Sequence, residues 1–463
     1  MSGIIKKYVF IIIAVIAYFT ISLLPTPTGL EPAGQRSIAL MVAAVIIWAT
    51  EAIPVGYVSL AFPMITGILG VAPIGEVLKN FINASIIFMI CTQFISQAFV
   101  STGVGNRVAT KFSFLFGTKP KQVLLSFIMV SGVVSMFIGD IPVAVVFGGI
   151  AYDLLKLNNC EPGKSKFGLS MMIGIPIAAA IGGFATPVGS GLNQLTIIQL
   201  QSVTGITIDF LQWSIVGIPM SIILLVISWL ILSALLPAEI DHVKGSENAK
   251  DQDCGPLKVE EKKFIVIFAI TIIAWVTSPI TNLDNNMVAA ISVCAMALAG
   301  IEVLKADKVN SIGWSGVLLS SGATATATTL TLTGASQWIA DLLSDAIGSM
   351  GPVMVIFCVI IFAQLIHFLI PTGGALVATV VPIMAAVAAS IGMSPIVLTL
   401  IIGYTVSNCF LMPLDPIPLS TYGYGYWKLF DMTKYGVPIT IVWSIILFGF
   451  MVLLHTIGFY PAV

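Results

Sequence analysis

Charged side chains are scarce in this sequence. Asp, Glu, Lys and Arg make up 9% of the 463 residues, against about 25% in soluble domains, and apolar residue types make up 58%. The one long polar stretch is 237–263. Too few polar residues remain to cover a water-soluble domain of this size. This composition argues against a soluble enzyme, and we expect no nucleic-acid partner.

Clusters of metal-binding or nucleophilic residues are also lacking. The six cysteines show no CxxC spacing, and the three histidines, His242, His367 and His455, are far apart. A structural zinc site needs ligands at short spacing, and a hydrolase needs a nucleophile beside a base. Neither pattern occurs, so we predict that the protein is not an enzyme.

Long apolar runs are what the sequence does contain. Windows of about 20 residues, the length that crosses a bilayer, lie near 8–24, 37–53, 56–73, 82–100, 212–236, 263–281, 286–303, 312–332 and 434–457. Two interrupted runs, 167–200 and 395–425, add further elements. The sequence therefore predicts an all-α polytopic membrane protein with about 11 transmembrane helices.

Two more apolar stretches are broken at their centres. Residues 133–149 contain Gly139-Asp140-Ile141-Pro142, and residues 366–382 contain Pro371-Thr372-Gly373-Gly374. Unwound backbone at membrane depth is tolerated only where protein buries it or where it lines a wet cavity. We interpret both stretches as re-entrant hairpins, and a broken segment in each half of a chain is typical of the binding site of a secondary transporter.

The distribution of basic residues predicts the orientation. If the N-terminus is cytoplasmic and the helices alternate, all but Arg36 and Lys79 of the 20 Lys and Arg residues fall on the cytoplasmic side. This is the asymmetry expected of a plasma (inner) membrane protein. It predicts a multi-pass protein whose loop 237–263 is cytoplasmic and whose C-terminal Val463 is extracytoplasmic.

An internal repeat is visible along the chain. Thr102-Gly103 recurs as Thr333-Gly334, 231 positions later, and Gly217-Ile218-Pro219 recurs as Gly436-Val437-Pro438, 219 positions later. Residues 107–121, ahead of the first hairpin, carry four basic side chains, whereas the counterpart 341–350 carries none. By the charge rule the two hairpins enter from opposite faces, so the chain is an inverted repeat whose copies have about 220 residues each.

The run after the first hairpin has the chemistry of an ion site. Residues 182–193 hold four glycines and Pro187, which are unlike a continuous helix. A broken helix frees carbonyl oxygens that suit Na⁺ and main-chain N–H groups that suit an anion. The alternative is a packing kink, in which the glycines only let helices approach closely.

Several motifs resemble one family. Trp48-Ala49-Thr50-Glu51-Ala52-Ile53-Pro54 is similar to the second-helix motif of the divalent-anion:sodium symporters, the citrate, succinate and sulfate carriers. Ala185 to Asn193 resembles that family's A-T-P-x-G-[ST]-P-P-N, and Phe210 to Pro219 resembles the start of its next helix. The resemblance extends from Ile38 to Leu454.

The resemblance implies a homodimer of two-domain protomers with an elevator mechanism. Scaffold helices would occupy 1–115, 206–345 and 431–463, and a moving transport domain would consist of 116–205 and 346–430. Together with the chemistry of the residues, it also predicts where ligands bind. A small anion, such as a di- or tricarboxylate, would contact Gly139, Asp140, Ile141, Ser190, Asn193, Thr372, Gly373, Gly374 and Pro416. The coupling ion, Na⁺, would be held by Ser135, Asp140, Thr186, Gly189, Asn193, Thr372 and Asp415.

The sequence departs from the family pattern at both hairpin tips. The family carries Ser-Asn-Thr there, and this chain has Gly139-Asp140-Ile141 and Thr372-Gly373-Gly374. Asparagine both donates and accepts, whereas an ionised aspartate only accepts. Asp140 is then a Na⁺ ligand, a proton carrier, or a cap for the helix that begins at Pro142. Asp415 is a cation ligand or a turn former, and His367 is a hydrogen-bonded interior histidine or a proton carrier.

Two functions remain after these steps. The first is cation-coupled uptake of a small anion, with Na⁺ favoured over H⁺ and with sulfate or a sulfonate as other substrates. The second is a Na⁺/H⁺ antiporter of the same superfamily, in which Asp140 and Asp415 exchange ions. A channel is disfavoured by the inverted hairpins.

Overall fold

The structure is a computed structural model that describes residues 3–79, 81–245, 255–347, 350–370 and 372–460. Within these ranges the regular secondary structure is helical throughout. The first half contains α1 (Gly3–Leu23), α2 (Pro32–Thr50), α3 (Val55–Ile68), α4 (Ile74–Lys79), α5 (Ala84–Thr102), α6 (Val104–Phe112), α7 (Pro120–Ser135), α8 (Asp140–Leu157), α9 (Lys166–Gly183), α10 (Gly191–Thr204) and α11 (Phe210–Leu235).

The second half follows the same order of elements. It contains α12 (Val259–Thr281), α13 (Asn285–Ala297), α14 (Trp314–Leu332), α15 (Ala335–Ile347), α16 (Pro352–Leu365), α17 (Gly373–Ser390), α18 (Pro395–Thr405), α19 (Pro416–Leu419) and α20 (Leu429–Thr456). Short 3₁₀ turns occupy Ala306–Ser311, Ile366–Phe368 and Tyr422–Tyr424.

The helices confirm the predicted fold class. Among the described residues, seven helices are long and apolar enough to cross a bilayer, and several shorter apolar helices accompany them. Each predicted apolar window overlaps a helix. Of the predicted polar loop 237–263, residues 246–254 lie outside the described residues.

Both predicted hairpins are present. In the first, α7 ends at Ser135 and α8 begins at Asp140, so the tip is the four-residue turn 136–139. Pro142 lies in the first turn of α8, where its missing N–H costs no helical hydrogen bond. In the second hairpin, α16 is followed by the turn Ile366–Phe368, and α17 begins at Gly373. Pro371 lies outside the described residues.

Two helices are interrupted after the hairpins. The first break separates α9 from α10 and covers residues 184–190, inside the predicted segment 182–193. The second break separates α18 from α19 and covers residues 406–415. This break lies within the interrupted run 395–425 that the sequence predicted, and it starts at residue 406 because α18 ends at Thr405.

The repeat is visible in the packing of α11 and α20 against the two breaks. A Cβ atom on Gly217 would lie 2.2 Å from the Ala185 carbonyl oxygen, and a Cβ atom on Gly436 would lie 2.5 Å from the Phe410 Cβ. Neither position has room for a side chain, because α11 lies against the main chain of the first break and α20 lies against the Phe410 side chain of the second. The two copies thus use the same device at positions that the sequence repeat had paired.

An aromatic cluster joins the two breaks. Phe184 of the first break packs on Trp443 of α20 with ring centroids 4.8 Å apart, and Phe410 of the second break packs on the same indole at 6.0 Å. Trp213 donates from Nε1 to the Phe184 carbonyl at 2.8 Å, and the Tyr404 hydroxyl donates to the Trp213 carbonyl at 2.7 Å. The two breaks therefore lie back to back around a buried aromatic core.

The N-terminus of α9 is held by a carboxylate from the loop after α11. Glu239 accepts from the Ser165 hydroxyl and, at 3.0 Å, from the Phe167 N–H. The Ser165 hydroxyl also accepts from the Gly168 N–H at 2.9 Å. Partial burial alone raises the pKa of Glu239, but the hydrogen bonds from Ser165 and Phe167 outweigh it and the pKa is lowered. A negative charge at this helix start is stabilising.

Candidate functional site

The tip of the first hairpin is bonded to the first break. The Asp140 N–H donates to the Gly189 carbonyl at 3.1 Å, and the Thr186 hydroxyl donates to the Met136 carbonyl. The Ser135 hydroxyl donates to the Ala179 carbonyl of α9 at 2.7 Å. Gly189 has no room for a side chain, because a Cβ there would lie 2.7 Å from the Ser135 carbonyl oxygen. We call this assembly the first half-site.

Asn193 organises the carbonyl groups of the first half-site. It is fully buried near the start of α10, and its Nδ2 donates to the carbonyls of Gly183 and Thr186, each at 2.7 Å. Its Oδ1 has no hydrogen-bond partner among the described residues. The amide nitrogen thus bridges the two ends of the break, and the amide oxygen remains as an acceptor without a partner among the described residues.

Asp140 supplies a second unpaired acceptor. Its Oδ1 accepts from the Ile141 N–H at 2.8 Å, while Oδ2 is buried and lacks a partner in the described part of the chain. Gly139, not Asp140, occupies the N-cap position of α8. The capping interpretation therefore accounts for only one of the two carboxylate oxygens.

The two unpaired acceptors surround Gly183. Its carbonyl accepts from Asn193, and a Cβ on Gly183 would lie 3.0 Å from Asp140 Oδ2. The Ser190 hydroxyl, which accepts from the Leu192 N–H at 3.3 Å, also lies near the Asp140 carboxylate. Buried oxygen atoms without partners are costly. A small hard cation with oxygen ligands, or a proton, would satisfy them, so the donor set fits Na⁺.

The second hairpin meets the second break in a comparable way. The Asp415 carboxylate accepts from the Ile417 N–H at 3.2 Å, and the Gly373 main chain approaches its other oxygen. Asp415 is the N-cap of α19, as the turn-former interpretation predicts. The Thr372 hydroxyl is buried and no described residue contacts it by a hydrogen bond. We call this assembly the second half-site.

Two residues of the second half-site were not predicted. The Thr440 hydroxyl donates to Asn408 Oδ1 at 2.9 Å, which leaves Asn408 Nδ2 as a buried donor without a partner among the described residues. The neighbouring Ser407 hydroxyl is likewise unpaired. A polar pair inside the apolar run 401–412 is the signal that sequence reasoning passed over.

His367 also belongs to the second half-site. One imidazole nitrogen interacts with the Thr405 main chain, and Nε2 is buried without a partner in the described part of the chain. His367 is therefore an interior histidine, the first of the two predicted roles, but only one of its nitrogens is hydrogen-bonded. The unpaired amide donor and the two unpaired hydroxyls of this half-site suit the oxygens of an anion, whereas a neutral imidazole that donates from its other nitrogen to Thr405 presents Nε2 as an acceptor.

Three of the predicted substrate residues lie at the edges of these assemblies. The Ile141 side chain is 41% exposed, and Pro416 is exposed and has no N–H to donate. Gly374 faces Leu319 of α14, where a Cβ would lie 2.5 Å from a leucine methyl group. Gly139 donates from its N–H to Ser96 Oγ of α5 at 3.2 Å, a contact that was not predicted.

The two half-sites are neighbours. Gly373 packs on Leu192 of α10, with 2.8 Å between a Cβ on Gly373 and a Leu192 methyl group. Asp140 and Asp415 are within electrostatic range of each other, and Cys409 is within range of both. The structure thus brings the carboxylates of the two repeats to one region of the molecule.

Comparisons with known proteins show which family the sequence matches. The family model described as the sodium:sulfate symporter transmembrane region matches residues 5–457. A sodium-dependent dicarboxylate transporter, SdcS of Staphylococcus aureus (strain USA300), is 24% identical over 428 residues, which cover 86% of this chain and 82% of that protein. A protein of Cupriavidus necator described only as a membrane protein is 25% identical and covers 93% of this chain and 88% of its own length.

Two solved structures share the fold. MtrF of Neisseria gonorrhoeae, from a class described as antimetabolite efflux pumps, aligns with a TM-score of 0.58 at 11% identity over 97% of this chain and 94% of its own. The YdaH transporter of Alcanivorax borkumensis aligns with a TM-score of 0.58 at 12% identity over 100% of both chains. At these identities the likeness concerns the fold alone.

Proposed function

The chain belongs to the family of the sodium:sulfate symporter transmembrane region, and on that premise we propose that it couples the inward movement of Na⁺ to the uptake of a small anion. The relatives are transporters, which agrees with the prediction that the chain is not an enzyme. It is a multi-pass membrane protein that transports small anions. The substrate that we propose is a di- or tricarboxylate, because the curated relative SdcS is a dicarboxylate transporter.

One observation supports this proposal most: the two half-sites have complementary unpaired groups. The first half-site leaves two acceptors unpaired, Asp140 Oδ2 and Asn193 Oδ1. The second leaves the donor Asn408 Nδ2 and the hydroxyls of Ser407 and Thr372. A cation beside an anion would satisfy both sets and would lower the electrostatic cost of each ion.

The direct test is uptake into proteoliposomes. Purified protein would be supplied with labelled succinate, citrate or sulfate under an inward Na⁺ gradient, with choline as the replacement cation. We expect Na⁺-dependent accumulation of at least one carboxylate. Accumulation that is equal in Na⁺ and choline, but that follows an imposed pH gradient, would replace Na⁺ by H⁺ as the coupling ion. A preference for sulfate would change the substrate and leave the coupling in place.

Asp140→Asn tests the first half-site. The substitution keeps the acceptor oxygen that bonds Ile141 and removes the charge, so we expect the Na⁺ concentration at half-maximal uptake to rise about tenfold or more, the loss typical of a hydrogen bond to a charged group. The matched control is Asp153→Asn on the exposed side of the same helix. If the pH profile flattens instead, Asp140 carries a proton. Unchanged Na⁺ and pH profiles would leave Asp140 as a helix-start residue only.

A Na⁺/H⁺ antiporter is the second candidate. What favours it is that Asp140 and Asp415 are buried carboxylates within electrostatic range of each other, and like charges favour protonation of one of them. Vesicles loaded with a pH-sensitive dye and given a Na⁺ pulse without any anion would decide between the two. Proton movement under these conditions supports the antiporter.

We also propose an elevator mechanism in a homodimer, as the family resemblance implies. In its support, α10 packs against α17 and α18, and α9 against α7 and α8, so both hairpins and both breaks form one packed body. The hairpin tips meet α5 and α14 at Ser96 and Leu319. A cysteine at Ser246 that is labelled from outside intact cells would overturn the proposed cytoplasmic location of the loop 237–263. Chemical cross-linking in membranes tests the dimer.

A further inference from the structure

A polar cavity of about 510 Å³ lies beside the first half-site. It is enclosed by the N-terminal ends of α5 and α11, by α10 and by the turn between α12 and α13. Its volume is far above the roughly 10–15 Å³ that one water molecule needs. Under the proposed topology all of these helix ends are extracytoplasmic. Of the break in the first half-site, only Pro187 is among the described residues that line the cavity.

The charged residues that line the cavity are both acidic. Asp209 and Asp284 line it, and no basic residue is among the described residues of its wall. Both carboxylates cap helices: Asp209 accepts from the Gln212 N–H at 2.7 Å, and Asp284 accepts from the N–H groups of Asn286 and Met287 at 2.8 and 3.0 Å. A cleft with charge of a single sign and low-dielectric walls raises the local concentration of counter-ions and their association rate by roughly 10–10³-fold.

The inner wall of the cavity is the back of the first break. Pro187 of the break and Gln194 of α10 both line it. Gln194 is 3% exposed; its Nε2 donates to Thr92 Oγ1 at 2.7 Å, and its Oε1 has no partner within the described ranges. Gln194 directly follows Asn193, whose Oδ1 is an unpaired acceptor of the first half-site. A residue of the cavity wall thus carries a buried acceptor oxygen without a partner among the described residues, one position after Asn193 of the first half-site.

We propose that this cavity is a vestibule that binds the coupling cation before it enters the first half-site, with Gln194 Oε1 as the inner ligand. Asp209 and Asp284 attract the cation and repel the anionic substrate, so the anion reaches the second half-site by another route. That the bound cation is the coupling ion rests on the proposed function. The electrostatic property of the cavity does not depend on that function.

The rate at which an introduced cysteine is modified tests whether the cavity attracts cations, and this test does not require transport. Thr207→Cys places a thiol in the cavity wall, in a background without the six native cysteines, and Ile68→Cys, whose parent side chain is 83% exposed, is the control site. The probes are a cationic and an anionic methanethiosulfonate of similar size. We expect the cationic reagent to react at least tenfold faster at Thr207→Cys, relative to the control site. The charge-only change Asp209→Asn with Asp284→Asn should reduce this preference, because asparagine is nearly as good a helix cap as aspartate.

Uptake assays test the role of Gln194 as a cation ligand. We expect Gln194→Leu to raise the Na⁺ concentration at half-maximal uptake at least fivefold, while the anion KM at saturating Na⁺ stays as in the wild type. Equal reaction rates of the two reagents, or an unchanged Na⁺ dependence in Gln194→Leu, would overturn the proposal. Failure of the proposed function is seen separately, as uptake that ignores Na⁺ in the wild-type protein while the preference for the cationic reagent persists.

Discussion

The first and second half-sites share a backbone plan and differ in their side chains. In both, a glycine of a long helix presses on a break, Gly217 in the first and Gly436 in the second. A hydroxyl four residues later then donates into the break region: Ser221 bonds the Ile181 carbonyl at 2.8 Å, and Thr440 bonds Asn408 Oδ1 at 2.9 Å. Thr440 thus bonds a side chain, whereas Ser221 bonds a main-chain carbonyl.

The difference teaches how a duplicated fold acquires two chemistries. Repeat-related backbone geometry fixes where the two hairpins and breaks meet. On the proposed function, the side chains then decide which ion each half-site suits, since acceptors remain unpaired in the first and an amide donor and hydroxyls remain unpaired in the second. The resulting division, cation in the first half-site and anion in the second, can be tested by paired substitutions.

The glycine pair should give the largest effect. Gly217→Ala places a Cβ 2.2 Å from a carbonyl oxygen of the first break, whereas Gly436→Ala places it 2.5 Å from a side-chain carbon. Overpacking costs about 1–3 kcal/mol, and more where main chain must move. We expect Gly217→Ala to lose most folded protein and Gly436→Ala to fold with a lowered Tm. Size-exclusion yield and thermal unfolding measure this, with Gly449→Ala, which has open space, as the control.

The asparagine pair tests the division of ions directly. Asn193→Ala should raise the Na⁺ concentration at half-maximal uptake about tenfold or more, and Asn408→Ala should raise the anion KM by a similar factor. Each loses a hydrogen bond to a charged group, worth roughly 1.5–3 kcal/mol. Uptake would be measured over a grid of Na⁺ and anion concentrations. The division is wrong if both variants change the same parameter.

The hydroxyl pair should give a smaller effect. Thr440→Val leaves Asn408 without the bond that orients its amide, so we expect a rise in the anion KM of about two- to tenfold, equivalent to a net hydrogen bond of about 0.5–1.5 kcal/mol. Ser221→Ala loses a bond to main chain and should lower the Tm without changing KM. Thr440→Ser, which keeps the hydroxyl, should restore the wild-type KM.

The smallest effect is expected at the starts of the broken helices. Ser165 and Glu239 hold the start of α9, whereas Ser394, at the start of α18, has a hydroxyl without a partner among the described residues. Ser165→Ala should cost about 1 kcal/mol of unfolding free energy. Ser394→Ala should be neutral or slightly stabilising, because it removes an unpaired buried hydroxyl. Thermal shift in detergent compares the two.

The pH dependence of stability gives a further check at the same place. The pKa of Glu239 is lowered in the folded state. Its contribution to stability is therefore present above the unfolded pKa of about 4.5 and is lost as the pH falls through the folded value. Glu239→Gln should remove this part of the acid sensitivity. A Tm profile between pH 7 and pH 4 that is identical in wild type and variant would contradict it.

Local patterns in the sequence predicted most of the first half-site. Glycine, Pro187 and Asn193 fall within twelve consecutive residues, and the break lies there. The length of the second break was not predictable in this way, since no glycine or proline marks its start at Val406. Prolines at 416 and 418 drew attention to its end instead.

The features of the two half-sites that the sequence did not predict depend on tertiary contacts. Asn408 is oriented by Thr440, which lies 32 positions away on α20. His367 meets the main chain at Thr405 only because α16 and α18 pack together. The unpaired state of Asp140 Oδ2 also depends on Gly183 and Gly189 approaching from another segment. Such facts depend on how separate helices meet, and no short sequence window contains them.

Trp443 has a consequence for energy conversion. Its indole is fully buried and contacts both Phe184 and Phe410, so it connects the two breaks through one rigid group. A carrier wastes its gradient when one ion slips through while the other stays behind. Because the same ring supports both breaks, we expect that neither loop rearranges without disturbing the other. If the proposed coupling holds, we expect Trp443 to tie the efficiency of the transport cycle to the rigidity of the aromatic core.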